Sequence, residues 1–211
     1  MNRATKYLSA ILSTVRTKAV VWCGVVVIFF AVAPSMHGSI DEALKLIEAK
    51  TTGSQQIAAE EEKLQALYVW QFLQFIEFPT PTTPQEPFIV GVLGITRVEN
   101  YLQEVVRQKQ LGEGRSVEVR RLGSVEDALR CNTIFIAPGE TIRTAQLLAK
   151  TRSKPILTIG RDDGFLDKGG LINFYVENAK VRFEYNAEEI PSSKLRFSSK
   201  LLRLGKSVSK K

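Results

Sequence analysis

The sequence predicts a single α/β domain built on a mixed, mostly parallel sheet of about six strands, with helices on both faces and a C-terminal β-hairpin followed by a helix. The first observation is that short apolar runs, such as residues 88–94, alternate with stretches of helical periodicity. The second is a pair of apolar segments, 171–176 and 181–185, separated by the turn residues 177–180. The alternation of strands with helices along the chain favours parallel strands, whereas the hairpin adds antiparallel pairing near one edge of the sheet.

The part of the chain before the sheet predicts two helices and a connector. Residues 41–50 favour a helix by composition, and the turn residues Thr51-Thr52-Gly53-Ser54 are expected to end it. A longer helix is expected over residues 57–78, where apolar side chains recur at helical spacing: Leu64, Leu67, Tyr68, Phe72, Phe75 and Ile76. An extended connector follows, because regular helix is excluded by Pro79, Pro81, Pro84 and Pro87.

The remaining elements are expected in alternating order. Strands are predicted over residues 88–94, 116–122, 133–137 and 155–159, and helices over residues 96–109, 125–130 and 141–150. After the hairpin, Ser198 or Ser199 is expected to cap a last helix, whose apolar side carries Leu201, Leu202 and Leu204.

The formal net charge of +7 is unevenly distributed along the chain. Residues 1–38 contribute +4 and residues 194–211 contribute +7, neither segment with an acidic residue, so the body between them is net −4. A negative body removes the argument for nucleic acid as a partner. The basic terminal segment is interpreted either as a surface for an anion or anionic lipid, or as a solvated helix face.

The N-terminal segment indicates export. Basic residues precede an apolar run over residues 19–33, which is typical of a secretory signal peptide, and an uncleaved membrane anchor is the alternative. Either way the body is expected across a membrane from the cytoplasm, without stable membrane insertion if the leader is cleaved. The expected organisation is a signal peptide or anchor at 1–38, a helical arm and linker at 39–59, a folded domain at 60–206 and a basic tail at 207–211.

Residues for nucleophilic or metal chemistry are scarce. The one histidine, His37, lies beside the expected cleavage site, which removes histidine bases, Ser-His-Asp arrangements and the common histidine zinc sites. In the mature chain Cys131 stands alone and cannot form an internal disulfide. We interpret it as a small hydrophobe at the start of a strand, with a redox-sensing thiol or an intermolecular disulfide as the functional alternatives. No catalytic or metal-ligating residue is therefore assigned.

Two loops resemble ligand-binding sites in part. The turn Gly91-Val92-Leu93-Gly94 does not match the G-x-G-x-x-G of a dinucleotide motif, and a phosphate loop with Gly-Lys-Ser/Thr is absent from the sequence, so no cofactor is expected. The pair Asp162-Asp163 follows the strand at 155–159, at the end where α/β proteins often place sites, but such a pair is also typical of a turn or a helix cap.

Motifs of the second half resemble a known family. Cys131-Asn132-Thr133-Ile134-Phe135-Ile136 and 155–165 come first, then Gly169-Gly170-Leu171-Ile172-Asn173-Phe174, Val181-Arg182-Phe183-Glu184-Tyr185-Asn186 and Ser198-Ser199-Lys200-Leu201-Leu202-Arg203-Leu204. Their order and spacing are similar to those of the YfiR family of periplasmic regulators, and residues 68–79 resemble the first helix of that family. The resemblance covers about residues 60–206.

The resemblance implies a periplasmic protein that is not an enzyme. It implies a homodimer that binds the periplasmic sensor region of an inner-membrane diguanylate cyclase and represses it, which lowers cyclic-di-GMP signalling and biofilm formation. Cys131 matches a family cysteine, yet the mature chain has no second one. The expected partner-binding residues are Gly169, Gly170, Asn173 and Arg182. The alternative is an exported small-ligand-binding protein or hydrolase that uses the Asp162-Asp163 loop.

Overall fold

The computed structural model describes residues 37–79 and 86–209. Almost all of the expected leader, the centre of the proline-rich connector and the last two lysines lie outside these residues. The chain divides into two compact units, Met1–Gln55 and Gln56–Lys211, and the described part of the first is helical. Among the described helices, none has the length and apolar character that crossing a bilayer requires.

Strands and helices alternate through most of the second unit. The helices are α1 (His37–Phe75), α2 (Val98–Gln108), α3 (Val125–Ala128), α4 (Thr141–Thr151) and α5 (Ser199–Leu204), with short 3-10 turns at Gly112–Gly114 and Pro191–Ser193. The strands are β1 (Ile76–Glu77), β2 (Phe88–Leu93), β3 (Val117–Leu122), β4 (Thr133–Ile136), β5 (Leu157–Gly160), β6 (Ile172–Glu177), β7 (Lys180–Asn186), β8 (Arg196–Phe197) and β9 (Lys206–Val208).

The main sheet has seven strands in the order β3-β2-β4-β5-β6-β7-β9. The strands from β3 to β6 are parallel, β6 and β7 form the antiparallel hairpin, and β9 pairs parallel to β7. The order of the parallel strands reverses between β2 and β4, which is the switch point of a doubly wound sheet. The predicted mixed, mostly parallel α/β fold is confirmed.

Two apolar cores cover the two faces of this sheet. Helices α1, α2 and α5 contribute to one core, where Tyr68 and Phe72 of α1 pack on Phe174 and Phe183 of the hairpin with ring centroids 5.0–5.9 Å apart. Helices α3 and α4 and the loop residue Phe165 form the other. Because β2 and β4 are covered on both faces, their residues are apolar almost throughout.

The predicted break at Thr51-Thr52-Gly53-Ser54 is wrong, since α1 continues through these residues. One glycine inside a helix costs only about 1 kcal/mol, and helix-forming residues flank it. The Ser54 hydroxyl also donates to the Lys50 carbonyl at 2.9 Å, a bond that the helical path permits.

Three short strands were not predicted. β1 follows α1 directly and pairs antiparallel with β8, and the Ser198 N–H donates to the carbonyl of Phe75 at the helix end. Strand β9 lies where the sequence suggested a charged tail. Strands of two or three residues are too short to show an alternation of apolar and polar residues. They are recognised only from their pairing with segments that are distant in sequence.

Candidate functional site

At the switch point, where sheets of this order often bind ligands, the turn after β2 packs closely against the turn after β4. Gly94 follows β2 with φ +93°, and a Cβ placed there would lie 2.8 Å from both Ala137 Cβ and Glu140 Oε1. Glycine therefore lets the Glu140 side chain lie against the turn, where Arg143 holds its carboxylate at 2.5 Å. The arrangement makes Gly91-Val92-Leu93-Gly94 a packing turn.

Asp162 of the predicted Asp162-Asp163 loop fastens two loops together. Its carboxylate accepts the Gly139 N–H at 3.2 Å, which ties the turn after β5 to the turn after β4. Asp163 is exposed beside it. In the part of the chain that the structure describes, His, Cys, Asp and Glu form no group of three or more placed to hold a metal ion.

Helix α1 also contacts the loops at the C-terminal ends of the parallel strands. Glu61 pairs with Arg161 at 2.6 Å, and Glu62 accepts from the Thr96 hydroxyl at 2.8 Å and the Arg97 N–H at 3.1 Å. Glu61 and Glu62 thus contact residues that are distant in sequence, in the loops after β2 and β5. The helical periodicity of α1 could not indicate these contacts.

The structure gives the two predicted site glycines different surroundings. Gly169 has φ +97° and is half-buried, with the Arg152 and Glu189 side chains about 4 Å from the position of its missing Cβ. Gly170 is buried, and a Cβ there would lie 2.1 Å from Cε1 of Phe165. Gly170 thus has a packing role, and its role toward a partner stays a prediction.

Asn173 and Arg182 share one face of the β6–β7 hairpin. Register places Asn173 opposite Glu184 and Tyr175 opposite Arg182, and side chains two residues apart on a strand point the same way. Asn173 is only 4% exposed and donates from Nδ2 to Glu184 at 3.2 Å, while its Oδ1 has no hydrogen-bond partner among the described residues. Arg182 is about half-exposed and pairs with Glu177 at 2.9 Å.

The exposed side chains of this face are charged. Glu177, Lys180, Arg182 and Lys206 are exposed, whereas the opposite side of the hairpin packs into the core through Phe174 and Phe183. Of the four predicted partner-binding residues, Arg182 is the one with an exposed charged group. The sequence indicated this through the alternation of Val181, Phe183 and Tyr185 with charged residues.

Cys131 is buried in the core that α3, α4 and Phe165 form. Its Sγ lies 2.8 Å from the position that a Cβ on Gly91 would occupy, so a side chain at residue 91 would collide with it. The Cys131 thiol also donates to the Asp127 carbonyl at 3.6 Å. Burial raises the pKa of the Cys131 thiol to about 11. A buried, protonated thiol is a poor nucleophile, so these features favour the interpretation of Cys131 as a small hydrophobe.

The sequence did not indicate a cleft of about 360 Å³ beside the small β1–β8 sheet. Glu77, Phe78, Pro79, Lys194 and Arg196 line it, so its lining has two basic residues and one acidic residue. Residues 77 and 196 are opposite each other in the pairing of β1 with β8. Residues 77–79 and 194–196 are too far apart in sequence for any motif spacing to predict that they lie together.

Comparison with known proteins identifies the family of the chain. No curated protein matches the sequence significantly. The model of the family described as YfiR/HmsC-like matches residues 62–206, from within α1 through α5 to the first residue of β9. Since this match spans more than half of the sequence, the chain belongs to the YfiR/HmsC-like family.

Proposed function

We propose that this protein is a periplasmic homodimer that binds the periplasmic sensor region of an inner-membrane diguanylate cyclase and represses it. Family membership is the observation that carries the proposal. It supports a periplasmic regulator of diguanylate cyclase in general, regulatory rather than catalytic. Direct binding and repression, with lowered cyclic-di-GMP and less biofilm, are the further steps that we propose.

Repression by a bound protein has a simple thermodynamic requirement. The regulator must bind the inactive state of the cyclase more tightly than the active state, because equal affinity for both would shift nothing. No reacting group is needed on the regulator. What is needed is a rigid surface, and a β-hairpin packed on aromatic residues of α1 supplies one.

We place the cyclase-binding surface on the charged face of the β6–β7 hairpin, with Arg182 at its centre. The guanidinium is about half-exposed, and its carboxylate partner, Glu177, belongs to the same hairpin. An arginine can exchange such an exposed partner for a carboxylate of another protein at little cost. Asn173 and Glu184 lie beside it as a hydrogen-bonded pair, and Gly169 and Gly170 precede β6.

Deleting the gene and measuring cyclic-di-GMP tests the function. The level is expected to rise, and the wild-type gene is expected to restore it. Arg182→Ala should weaken cyclase binding by about thirtyfold if it is an interface hot spot, since truncating one costs about 2 kcal/mol. Arg143→Ala is the matched control, because Arg143 is similarly exposed and also carboxylate-paired, but lies on α4.

Different results would refute different parts of the proposal. An unchanged cyclic-di-GMP level in the deletion strain, with the cyclase demonstrably present, would refute repression. Equal restoration by the Arg182→Ala and Arg143→Ala genes would refute the placement on the hairpin and leave the function standing. Binding itself is measured by titrating the full-length gene product against the sensor region.

A further inference from the structure

Strand β3 forms one edge of the main sheet. Among the described residues it pairs only with β2, along its whole length of six residues. The strand at the other edge, β9, has only three residues. An edge strand presents a row of unpaired N–H and C=O groups, and natural proteins either cover such an edge or use it for pairing. The longer edge, β3, is the one that can hold another strand.

The direction of the free backbone groups follows from the pairing with β2. The Phe88 N–H donates to the Ser116 carbonyl at 2.8 Å, so even-numbered residues of this segment direct their N–H and C=O groups toward β2. The N–H and C=O groups of Val117, Val119 and Arg121 consequently point to the open side. They can pair only with a strand that lies outside β3.

The side chains of β3 make this edge complementary to itself. Glu118 and Arg120 lie on one face, are both nearly half-exposed and pair within the strand at 2.5 Å. Consider a second copy placed antiparallel about a two-fold axis through Val119. Glu118 then lies opposite Arg120 of the second copy, and Arg120 opposite its Glu118.

The same register satisfies the free backbone. It places Val119 opposite Val119 and Val117 opposite Arg121, so each N–H and C=O on the open side gains a partner. The charged residues fall at the alternating positions, where cross-strand side chains come closest. Moving the axis to Glu118 or Arg120 would instead set identical charges opposite each other, which is destabilising.

We propose that two copies of this chain pair through β3, antiparallel and centred on Val119, so that the two main sheets become one continuous sheet. This inference rests on the homodimer in the proposed function and adds which surface forms it. The self-complementary order of Glu118 and Arg120 is the reason to choose a second copy as the occupant of this edge. The hairpin face with Arg182 belongs to the opposite end of the sheet and stays accessible.

Disulfide trapping tests the register directly. Val119→Cys places two thiols across the axis with Cα atoms about 5.5 Å apart, within the range of a disulfide. The two copies of Val117→Cys would lie about 14 Å apart, which makes this variant the matched control on the same strand and face. The full-length gene product is purified and treated with copper–phenanthroline, which oxidises adjacent thiols.

The proposal expects a covalent dimer from Val119→Cys and none from Val117→Cys. Equal trapping of both variants, or of neither, overturns it. Both variants also carry Cys23→Ser, and the natural Cys131 does not interfere because it is buried.

A charge exchange gives an independent measurement. Glu118→Arg sets like charges opposite each other twice, and sedimentation analysis should show about tenfold weaker self-association. Exchanging both charges, with Glu118→Arg and Arg120→Glu together, should restore it. The same exchange at the exposed pair Glu126 and Lys150 is the control and should change nothing.

A protein that is monomeric at all concentrations, or a dimer indifferent to Glu118→Arg, overturns the inference. Its failure is distinguishable from failure of the proposed function, because self-association is measured on the purified protein and repression through cyclic-di-GMP in cells. A monomer that represses the cyclase would remove the homodimer and its β3 pairing and would leave repression standing. A β3-paired dimer with no effect on cyclic-di-GMP would remove only the proposed function.

Discussion

Gly170→Ala separates a packing role of Gly170 from a partner-binding role. A methyl group at Gly170 would lie 2.1 Å from Cε1 and 2.3 Å from Cδ1 of Phe165, far inside contact distance. The ring cannot move away easily, because it is 1% exposed and Gly160 adjoins it too, with a Cβ position 2.5 Å from Cδ2. Relief therefore needs movement of the backbone or of the whole loop.

The expected cost of Gly170→Ala is about 2–3 kcal/mol of unfolding free energy, the upper part of the range for overpacked cores. For a chain of this size that corresponds to roughly 5–10 °C in Tm. Urea unfolding followed by circular dichroism measures it. Gly112→Ala is the control, since a methyl group there meets nothing within 4 Å, and it should stay within about 0.5 kcal/mol of wild type.

A second substitution tests the stated cause. Phe165→Leu removes the ring edge that the new methyl group would strike, so adding Gly170→Ala to it should cost at least about 1 kcal/mol less than adding it to wild type. Additive costs, or a Gly170→Ala protein as stable as wild type, would refute the packing explanation. A stable Gly170→Ala protein that no longer represses the cyclase would instead favour close backbone approach to a partner.

Three further outcomes are expected. Burial holds the pKa of Cys131 at about 11 in the folded protein against an ordinary value of 9.0, so between these pH values the unfolded chain releases a proton that the folded chain keeps. Stability should therefore fall as pH rises through this interval, and fall less in Cys131→Ala; equal slopes would contradict this. Glu62→Ala should cost about 1–2 kcal/mol, because it leaves the Thr96 hydroxyl and the Arg97 N–H without their acceptor, as chemical denaturation would show. Ser198→Ala should cost about 1 kcal/mol by removing the cap of α5, whereas Ser198→Thr should retain most of that stability.

The sequence predicted those parts of the fold that depend on local pattern. Runs buried on both faces identified β2 and β4, and alternation in β7 separated its core side from its charged side. The boundary at Thr51 to Ser54 was misplaced, because turn residues lower helix stability by amounts that strong flanking segments exceed.

The site was less predictable because its properties depend on distances between remote segments. Gly170 and Phe165 are near in sequence, yet only the structure shows the ring against the glycine. The bond from the Gly139 N–H to Asp162 and the ion pair of Arg161 with Glu61 join loops from different parts of the chain. The exposure of Arg182 was the easiest property of the site to predict, because the alternation of apolar and charged residues in β7 indicates which side chains face outward.

The pairing of β1 with β8 has a consequence for how the domain is made. It joins Ile76 to Phe197, near the two ends of the folded region, and β9 adds its last strand after that. Contacts so distant along the chain slow folding, since a long loop must close before they form. A partly synthesised chain lacks β8, α5 and β9 and cannot complete either sheet. Under the periplasmic location that we propose, such late completion would suit a polypeptide that crosses a membrane unfolded before it folds.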